Sequence, residues 1–274
     1  MDTVLRKKYD NLIETLKIYS KVAVAFSGGV DSTFLAKVAF DTLGDNALAI
    51  TVQSQAYPHE TFTQTRDLAG LIGIGLLEIS ADVRDIPRFC DNPPDRCYHC
   101  KRALFSLMLE KAGEHDIDIL VDGSIVDDDT DYRPGHRALN ELEIKSPLKD
   151  NGFSKSDIRE LSKELKLPTW NLQSFACLAS RFPYGDRITP ELLERVARAE
   201  AVLRELDILR YRVRDHGDIA RIEVDNEGFD IISRKDVRDK VVESFKSLGY
   251  TYVSLDLEGY RTGSMNEPLG IKKK

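Results

Sequence analysis

Apolar and polar positions follow two rhythms along this chain. Over residues 3–19, Leu5, Leu12, Ile13 and Leu16 recur at roughly helical spacing, which predicts a leading amphipathic helix. Short apolar runs then alternate with helix-period segments. VAVAF (22–26), ALAITV (47–52), GLLEIS (75–80) and DILVDGS (118–124) read as buried parallel strands, with helices expected over 31–43, 58–72, 100–114 and 154–166. Strand–helix alternation of this kind predicts an α/β fold, a doubly wound parallel sheet with right-handed crossovers. Ligands of such sheets bind beyond the carboxyl ends of the strands.

The rhythm changes after PYGDRITPE (183–191). A helix over about 190–206 precedes YRVRDHGDIARIEV, two strand-like runs around an Asp-His-Gly-Asp turn; a helix over about 234–247 and the strand YTYVSLDL follow. That order predicts a smaller α+β C-terminal domain, so the expected division is residues 1–184 and 185–274. No internal repeat is visible, and the closing KKK is expected to be disordered.

Composition narrows the class. With 274 residues, 42% of them hydrophobic and 31% charged, the chain has the make-up of a soluble globular protein with a real core. No apolar run is long enough to span a bilayer, and MDTVLRKKYDNLIETLKIY has charges throughout and no apolar stretch of a secretory signal. A cytoplasmic protein is expected. The net charge of −7 argues against a large nucleic-acid footprint, although a local basic groove is compatible with it. Four cysteines (Cys90, Cys97, Cys100, Cys177) in such a chain point to metal or redox chemistry rather than a disulfide framework.

The chemistry begins at SGGVDS (27–32), between the first strand and the first crossover helix. Ser27 and the two glycines let backbone N–H groups turn inward, and the helix N-terminus adds partial positive charge, so the loop suits phosphate. It lacks the Gly-Lys-Ser/Thr ending of a Walker A loop, and it lacks GxGxxG. SGGxDS after a hydrophobic strand resembles the PP-loop of the ATP pyrophosphatases, which grip the β,γ-pyrophosphate of ATP and adenylate an acceptor. The resemblance implies that Ser27, Gly28, Gly29, Val30, Asp31 and Ser32 hold the leaving pyrophosphate, with Asp31 a partner of Mg²⁺ or of the loop backbone. It places adenine near Val52–Ser54 and Gly123.

DNPPDRCYHCKRALFSLM sets Cys97 and Cys100 as CxxC just before an expected helix, and SFACLASRFPYG carries Cys177 far downstream. CxxC alone is ambiguous among zinc, disulfide redox chemistry and cluster ligation. Structural zinc wants a fourth protein ligand, and His99 inside the CxxC is poorly aimed to be one. Three cysteines can instead hold three irons of a [4Fe–4S] cluster and leave the fourth open. Cys90 has no spacing partner and reads as a small packed residue. An adenylating loop combined with cysteine sulfur points to sulfur insertion: adenylation turns an oxygen into a leaving group that a sulfur nucleophile replaces.

SGGVDS, DGSIVDDDTDYRPG (122–135), CLASRFPYG (177–185), RVRDHGDIARIEV (212–224) and GYTYVSLDLEGYRTGSMN (249–266) together resemble the LarE sulfur insertases across nearly the whole chain. Members adenylate the carboxylates of pyridinium-3,5-biscarboxylic acid mononucleotide and convert them to thiocarboxylates, for the nickel-pincer cofactor of lactate racemase. One subtype has a lone cysteine at the position of Cys177 that gives up its own sulfur, with a tryptophan at the position of Cys97. The other has three cysteines carrying a [4Fe–4S] cluster whose open iron binds an extra sulfide. Cys97, Cys100 and Cys177 place this chain with the cluster subtype.

The same resemblance implies that Ser180, Arg212 and Arg214 hold the substrate phosphate with help from Arg181. Two arginines at i, i+2 on a strand share a face, which suits such a clamp. Glu200, Glu223 and Asp230 match acidic positions of a metal site. The implied partners are the small pyridinium mononucleotide, a sulfide source or desulfurase, and further copies of the chain in a homo-oligomer. The acidic run DDDTD (127–131) reads as a solvated turn or a Mg²⁺ site near the nucleotide. A tRNA thiolase shares the loop and often the three cysteines but needs an RNA-binding surface; sacrificial transfer of the Cys177 sulfur is the other alternative, and an ammonia-using synthetase would leave the cysteines without purpose.

Overall fold

A computed structural model describes residues 2–130, 134–172, 176–261 and 264. The chain forms two compact units. The first takes residues 1–54, 59–87 and 95–175; the second takes 55–58, 88–94 and 176–274.

The first unit is built on strands β1 (Val22–Ala25), β2 (Ala47–Gln53), β3 (Gly75–Ser80) and β4 (Leu120–Val121), all parallel, in the order β3-β2-β1-β4. Alternation within the strands explains why both faces are covered. Val22 and Val24 belong to one apolar cluster with Leu12 and Leu16 of helix α1 (Thr3–Tyr19), Phe34 and Leu35 of α2 (Val30–Leu43), and Leu68 and Ile72 of α3 (Glu60–Ile72). Ala23 turns to the other face and joins Ile50, Val52 and Ile79 against Met108 and Ala112 of α4 (Arg96–Gly113) and Leu139 of α5 (Gly135–Glu141). The short α6 (Pro147–Asp150) and α7 (Lys155–Glu164) complete the unit, with Leu148, Ile158 and Leu161 in the first cluster. Helix starts are capped where the sequence supplies oxygen: Asp2 accepts from Leu5 N–H, and Ser154 with Asp157 forms a capping box on α7.

Two expectations change here. The fourth strand is much shorter than 118–124: its ladder with β1 ends at Val121, and Asp122 N–H goes to Lys145 O (2.9 Å) while its carboxylate takes the hydroxyls of Ser124 (2.5 Å) and Ser146 (2.6 Å). Helix α4 begins at Arg96 rather than near residue 100, so CxxC lies inside the helix and not ahead of it. Helices α5 and α6 were not foreseen; each is too short for a periodic signal.

The second unit carries α8 (Pro190–Arg204), the hairpin β5 (Tyr211–His216) and β6 (Ile219–Val224), α9 (Asn226–Ser233), α10 (Lys235–Ser247) and β7 (Tyr252–Leu255). β5 pairs antiparallel and β7 parallel with β6, which makes a mixed sheet over a core of Leu203, Val213, Ile222, Val241 and Phe245. Asp215 ties the elements together, accepting from Arg195 (2.6 Å) and the Tyr250 hydroxyl (2.9 Å). Burial beside that carboxylate pushes the Tyr250 hydroxyl far above its ordinary range, so it remains a donor. Residues 183–188 run along the 88–94 segment: Gly185 and Ile188 donate to the carbonyls of Asn92 and Cys90, and the Asn92 amide donates to Pro183 O (2.6 Å). The half-buried Cys90 sits in this seam. Among the described residues no helix is long and apolar enough to cross a membrane. Asp131 and the KKK tail lie outside the described residues.

Candidate functional site

In the first unit the strand order reverses between β1 and β4, and the loops leaving those two strands are SGGVDS and Asp122-Gly123-Ser124. Open α/β sheets bind ligands at such a switch point. Gly29 is the N-cap of α2 and is extended, and no side chain caps that end, so the first N–H groups of the helix keep their donor capacity. Ser27 Oγ and Ser32 Oγ stand 3.0 Å apart, and Ser32 Oγ also bonds Ser27 N and Gly29 O at 3.3 Å.

Two glycines make the cradle. Gly28 has φ of +73°, and a Cβ there would stand 3.0 Å from Thr65 Cγ2; a Cβ on Gly123 would stand 3.1 Å from Ser32 N. Larger side chains would therefore wedge β4's exit away from the first turn of α2. Among the described residues, three buried oxygens in this region lack a hydrogen-bond partner: Asp31 Oδ1, Thr33 Oγ1 and, at the end of β2, Ser54 Oγ. An open helix N-terminus, a close-packed cradle and unpartnered oxygens fit a polyphosphate with its cation.

The structure adds a lysine that the sequence reading missed. Lys155 at the start of α7 reaches Asp31 Oδ2 at 2.5 Å, across 124 positions of sequence. Burial pushes the Asp31 carboxyl above the usual carboxylate range, against the pull of Lys155. The acidic run holds this corner: Asp127 accepts from Lys155 N (2.8 Å) and Asp128 from Ile125 N (3.1 Å). One signal was legible, since a lysine in the first turn of a helix opposes the helix dipole.

Cys97 and Cys100 occupy the first turns of α4 at i, i+3, neighbours on one helix face; Cys97 is exposed and Cys100 half-buried. The rotation of that turn is set from the other side. Tyr98 is buried, donates to Glu141 Oε2 (2.7 Å) and lies under the Arg137 guanidinium. His99 points back to Asp95 Oδ2 at 3.1 Å.

Cys177 lies in the second unit as N-cap of the 3₁₀ turn Leu178–Arg181, half-buried. Two buried ion pairs grip this turn. Arg181 makes a fork with Glu200 (2.9 Å on both oxygens) and donates to the carbonyls of Ala176 and Cys177 and to Ser180 Oγ. Arg214 makes a fork with Glu223 (3.0 and 2.7 Å) and donates to Ser180 O and Ser264 Oγ.

Arg212 differs. It is half-buried, with Nη1 on Tyr211 O (2.7 Å) and its guanidinium 5.1 Å from the Tyr260 ring centre; among the described residues no carboxylate is bonded to it. Burial and the neighbouring Arg181 pull it below the ordinary arginine value.

The second unit therefore brings together Cys177, Ser180, Arg181, Arg212, Arg214, Glu200 and Glu223, and the first brings Ser27–Ser32 to Gly123. Glu200 and Glu223 are bonded to arginines, and Asp230 lies on α9, apart from those pairs in the sequence of elements. Among the described residues no group of three or more His, Cys, Asp or Glu side chains is placed to hold a metal ion. None of the four cysteines forms a disulfide, and the set Cys97, Cys100 and Cys177 has the thiol chemistry that iron–sulfur ligation needs.

No protein-family model matches the chain. Individual proteins do. The chain is 39% identical to the uncharacterized protein slr1717 of Synechocystis sp., over 97% of this chain and 99% of that one. It is 38% identical to the pyridinium-3,5-bisthiocarboxylic acid mononucleotide synthase of Lactiplantibacillus plantarum, over 98% and 97%. The uncharacterized protein MJ0830 of Methanocaldococcus jannaschii is 30% identical over 94% and 97%. Identity of this size across both units, and not at SGGVDS alone, means that the chain belongs to the LarE family, the family of that synthase.

Proposed function

We propose that the chain is an ATP-dependent sulfur insertase that converts the carboxylates of pyridinium-3,5-biscarboxylic acid mononucleotide to thiocarboxylates. The observation that carries the reading is the uncapped N-terminus of α2 at the β1/β4 switch point, in a chain that matches the Lactiplantibacillus plantarum synthase over 98% of its residues.

In the first half-reaction a substrate carboxylate oxygen attacks the α-phosphorus of ATP, and pyrophosphate leaves. Ser27, the N–H groups of Gly28 to Ser32 and the Ser32 hydroxyl hold that leaving group. Asp31 would hold Mg²⁺, which screens the polyphosphate charge when bound. Lys155, released from Asp31, takes a phosphate oxygen.

In the second half-reaction sulfide sulfur attacks the acyl carbon, the bond to AMP breaks, and a thiocarboxylate results. Cys97, Cys100 and Cys177 would hold a [4Fe–4S] cluster, which when bound offers an open iron for the extra sulfide. Arg212 and the Ser180 hydroxyl take the substrate phosphate: Ser180 Oγ already accepts from Arg181, so its own proton is free to be donated outward. A sulfide source or desulfurase supplies the sulfur, and the functional form is a homo-oligomer.

The test is direct. Anaerobic, iron-reconstituted protein given ATP, sulfide and the mononucleotide should release AMP and pyrophosphate and shift the mononucleotide mass by an oxygen-to-sulfur exchange. No mass shift, or thiolation of tRNA instead, would overturn the reading. Within it, Lys155→Met should raise the KM for ATP by about tenfold, the loss expected for one hydrogen bond to a charged group. An unchanged KM would restrict Lys155 to orienting Asp31.

A further inference from the structure

We propose that Arg181 is a positioning residue that fixes the backbone of Cys177, and that it does not itself bind the substrate phosphate. The proposal deepens the sulfur-insertion reading, and rests on it for the turnover measurement only.

The donor inventory decides against a phosphate contact. A guanidinium has five N–H groups. Nε and Nη2 bond the two oxygens of Glu200, and Nη1 is shared among Ala176 O (2.8 Å), Cys177 O (3.0 Å) and Ser180 Oγ (2.9 Å). At most one N–H is left over, on a residue that is 2% exposed.

What those bonds accomplish is specific. The carbonyl of Ala176 lies in the peptide plane before the Cys177 Cα, and the carbonyl of Cys177 lies in the plane after it. Planar peptides leave only φ and ψ free, so one guanidinium holding both carbonyls fixes both angles, here −48° and 135°. The second plane is held again by Leu178 N–H on Ala56 O (2.9 Å) and by Ser180 N–H on Cys177 O (2.9 Å). The thiol is then left with only its staggered χ1 choices. Glu200 Oε1 also accepts from Val213 N (3.1 Å), which ties the Cys177 turn to α8 and to the strand that carries Arg212. Buried ion pairs are often no more stabilising than apolar pairs of similar volume, whereas the directional bonds of this one set the geometry of the turn.

Arg181→Lys keeps the charge and loses the planar fork. Iodoacetamide labelling of the iron-free chain, read by peptide mass spectrometry with Cys97 as internal reference, should show Cys177 reacting about tenfold faster, as expected for a released turn. In the reconstituted enzyme, sulfur transferred per pyrophosphate released should fall by about tenfold or more, with the KM for the mononucleotide within about twofold of the native value. An unchanged labelling ratio overturns the proposal, whatever the substrate proves to be. A raised KM with sulfur transfer per pyrophosphate unchanged overturns it in favour of a phosphate ligand. If the lysine variant does not fold, Arg181→Met with Glu200→Gln leaves no unpaired charge and keeps the acceptor for Val213. The same shift in labelling is expected there, and failure of both variants to fold would assign Arg181 to stability alone and also overturn the proposal.

Discussion

Asp31→Asn should abolish pyrophosphate release, with a loss of about a thousandfold or more, while leaving the fold as stable as before or more so. The two halves of this expectation come from the same carboxylate. Asp31 stands in the first turn of α2 within SGGVDS, with Oδ2 on Lys155 and Oδ1 buried without a partner among the described residues. Its removal deletes the anion that would meet the cation of the polyphosphate and that holds Lys155 in place.

The stability effect follows from linkage. Burial raises the folded pKa of Asp31 above its unfolded value, so the folded state binds the proton more readily. Unfolding free energy then falls as pH rises from the unfolded pKa through the folded one, and the penalty is fully present above the folded pKa. The asparagine variant lacks that penalty and should flatten this part of the stability-versus-pH curve. Calorimetry at several pH values, beside a pyrophosphate assay, checks both halves. An active Asp31→Asn enzyme would remove the carboxylate from the mechanism.

Cys97→Ala should lose bound iron and repeated turnover together, while pyrophosphate release in the presence of the mononucleotide stays within about threefold of the native enzyme. The separation is expected because Cys97 lies on α4, away in sequence from SGGVDS, and its neighbour Tyr98 keeps its bonds to α5 when the thiol is removed. Iron analysis and product counts per chain measure it. If the variant retains multiple turnovers, the three thiols are not the sulfur carrier. The intact mass of the native chain after turnover gives a second reading: loss of H₂S at Cys177 would mean that the residue surrenders its own sulfur, and an unchanged mass that the carrier is renewed.

Buried charge in this protein is concentrated where the chemistry is proposed. The Arg181–Glu200 and Arg214–Glu223 pairs are held away from water, and Asp31 is half-buried. Taking such groups out of solvent costs stability unless their partners are well placed. Both arginine forks meet that condition, and each also donates to a backbone carbonyl of the Cys177–Ser180 turn, Arg181 to Cys177 O and Arg214 to Ser180 O. Asp31 meets it only in part, with one oxygen unbonded among the described residues, as expected of a group that waits for a ligand.

Much of the fold could be read from local pattern. VAVAF shows both faces of a buried strand, SGGVDS marks the strand-to-helix turn, and the Asp-His-Gly-Asp turn fixes the β5–β6 hairpin, because each depends on residues a few positions apart. The start of α4 was misjudged because Arg96 and Cys97 carry no helical periodicity; burial of Arg96 and Tyr98 and the bond from Tyr98 to Glu141, 43 positions later, stabilise that turn. Residues 55–58 and 88–94 join the C-terminal unit through backbone bonds to 178–188, which no side-chain pattern announces.

By itself the sequence determined the α/β class, the glycine turn between β1 and α2, and the family, since periodicity and motif spacing are properties of neighbouring residues. Only the tertiary structure decided that Lys155 belongs to Asp31 and that Arg181 grips Glu200 and the carbonyls around Cys177. Those pairings depend on which helix comes to rest beside which loop. That choice is made by packing of whole apolar faces, and a lysine or arginine in the chain carries no mark of the carboxylate it will meet.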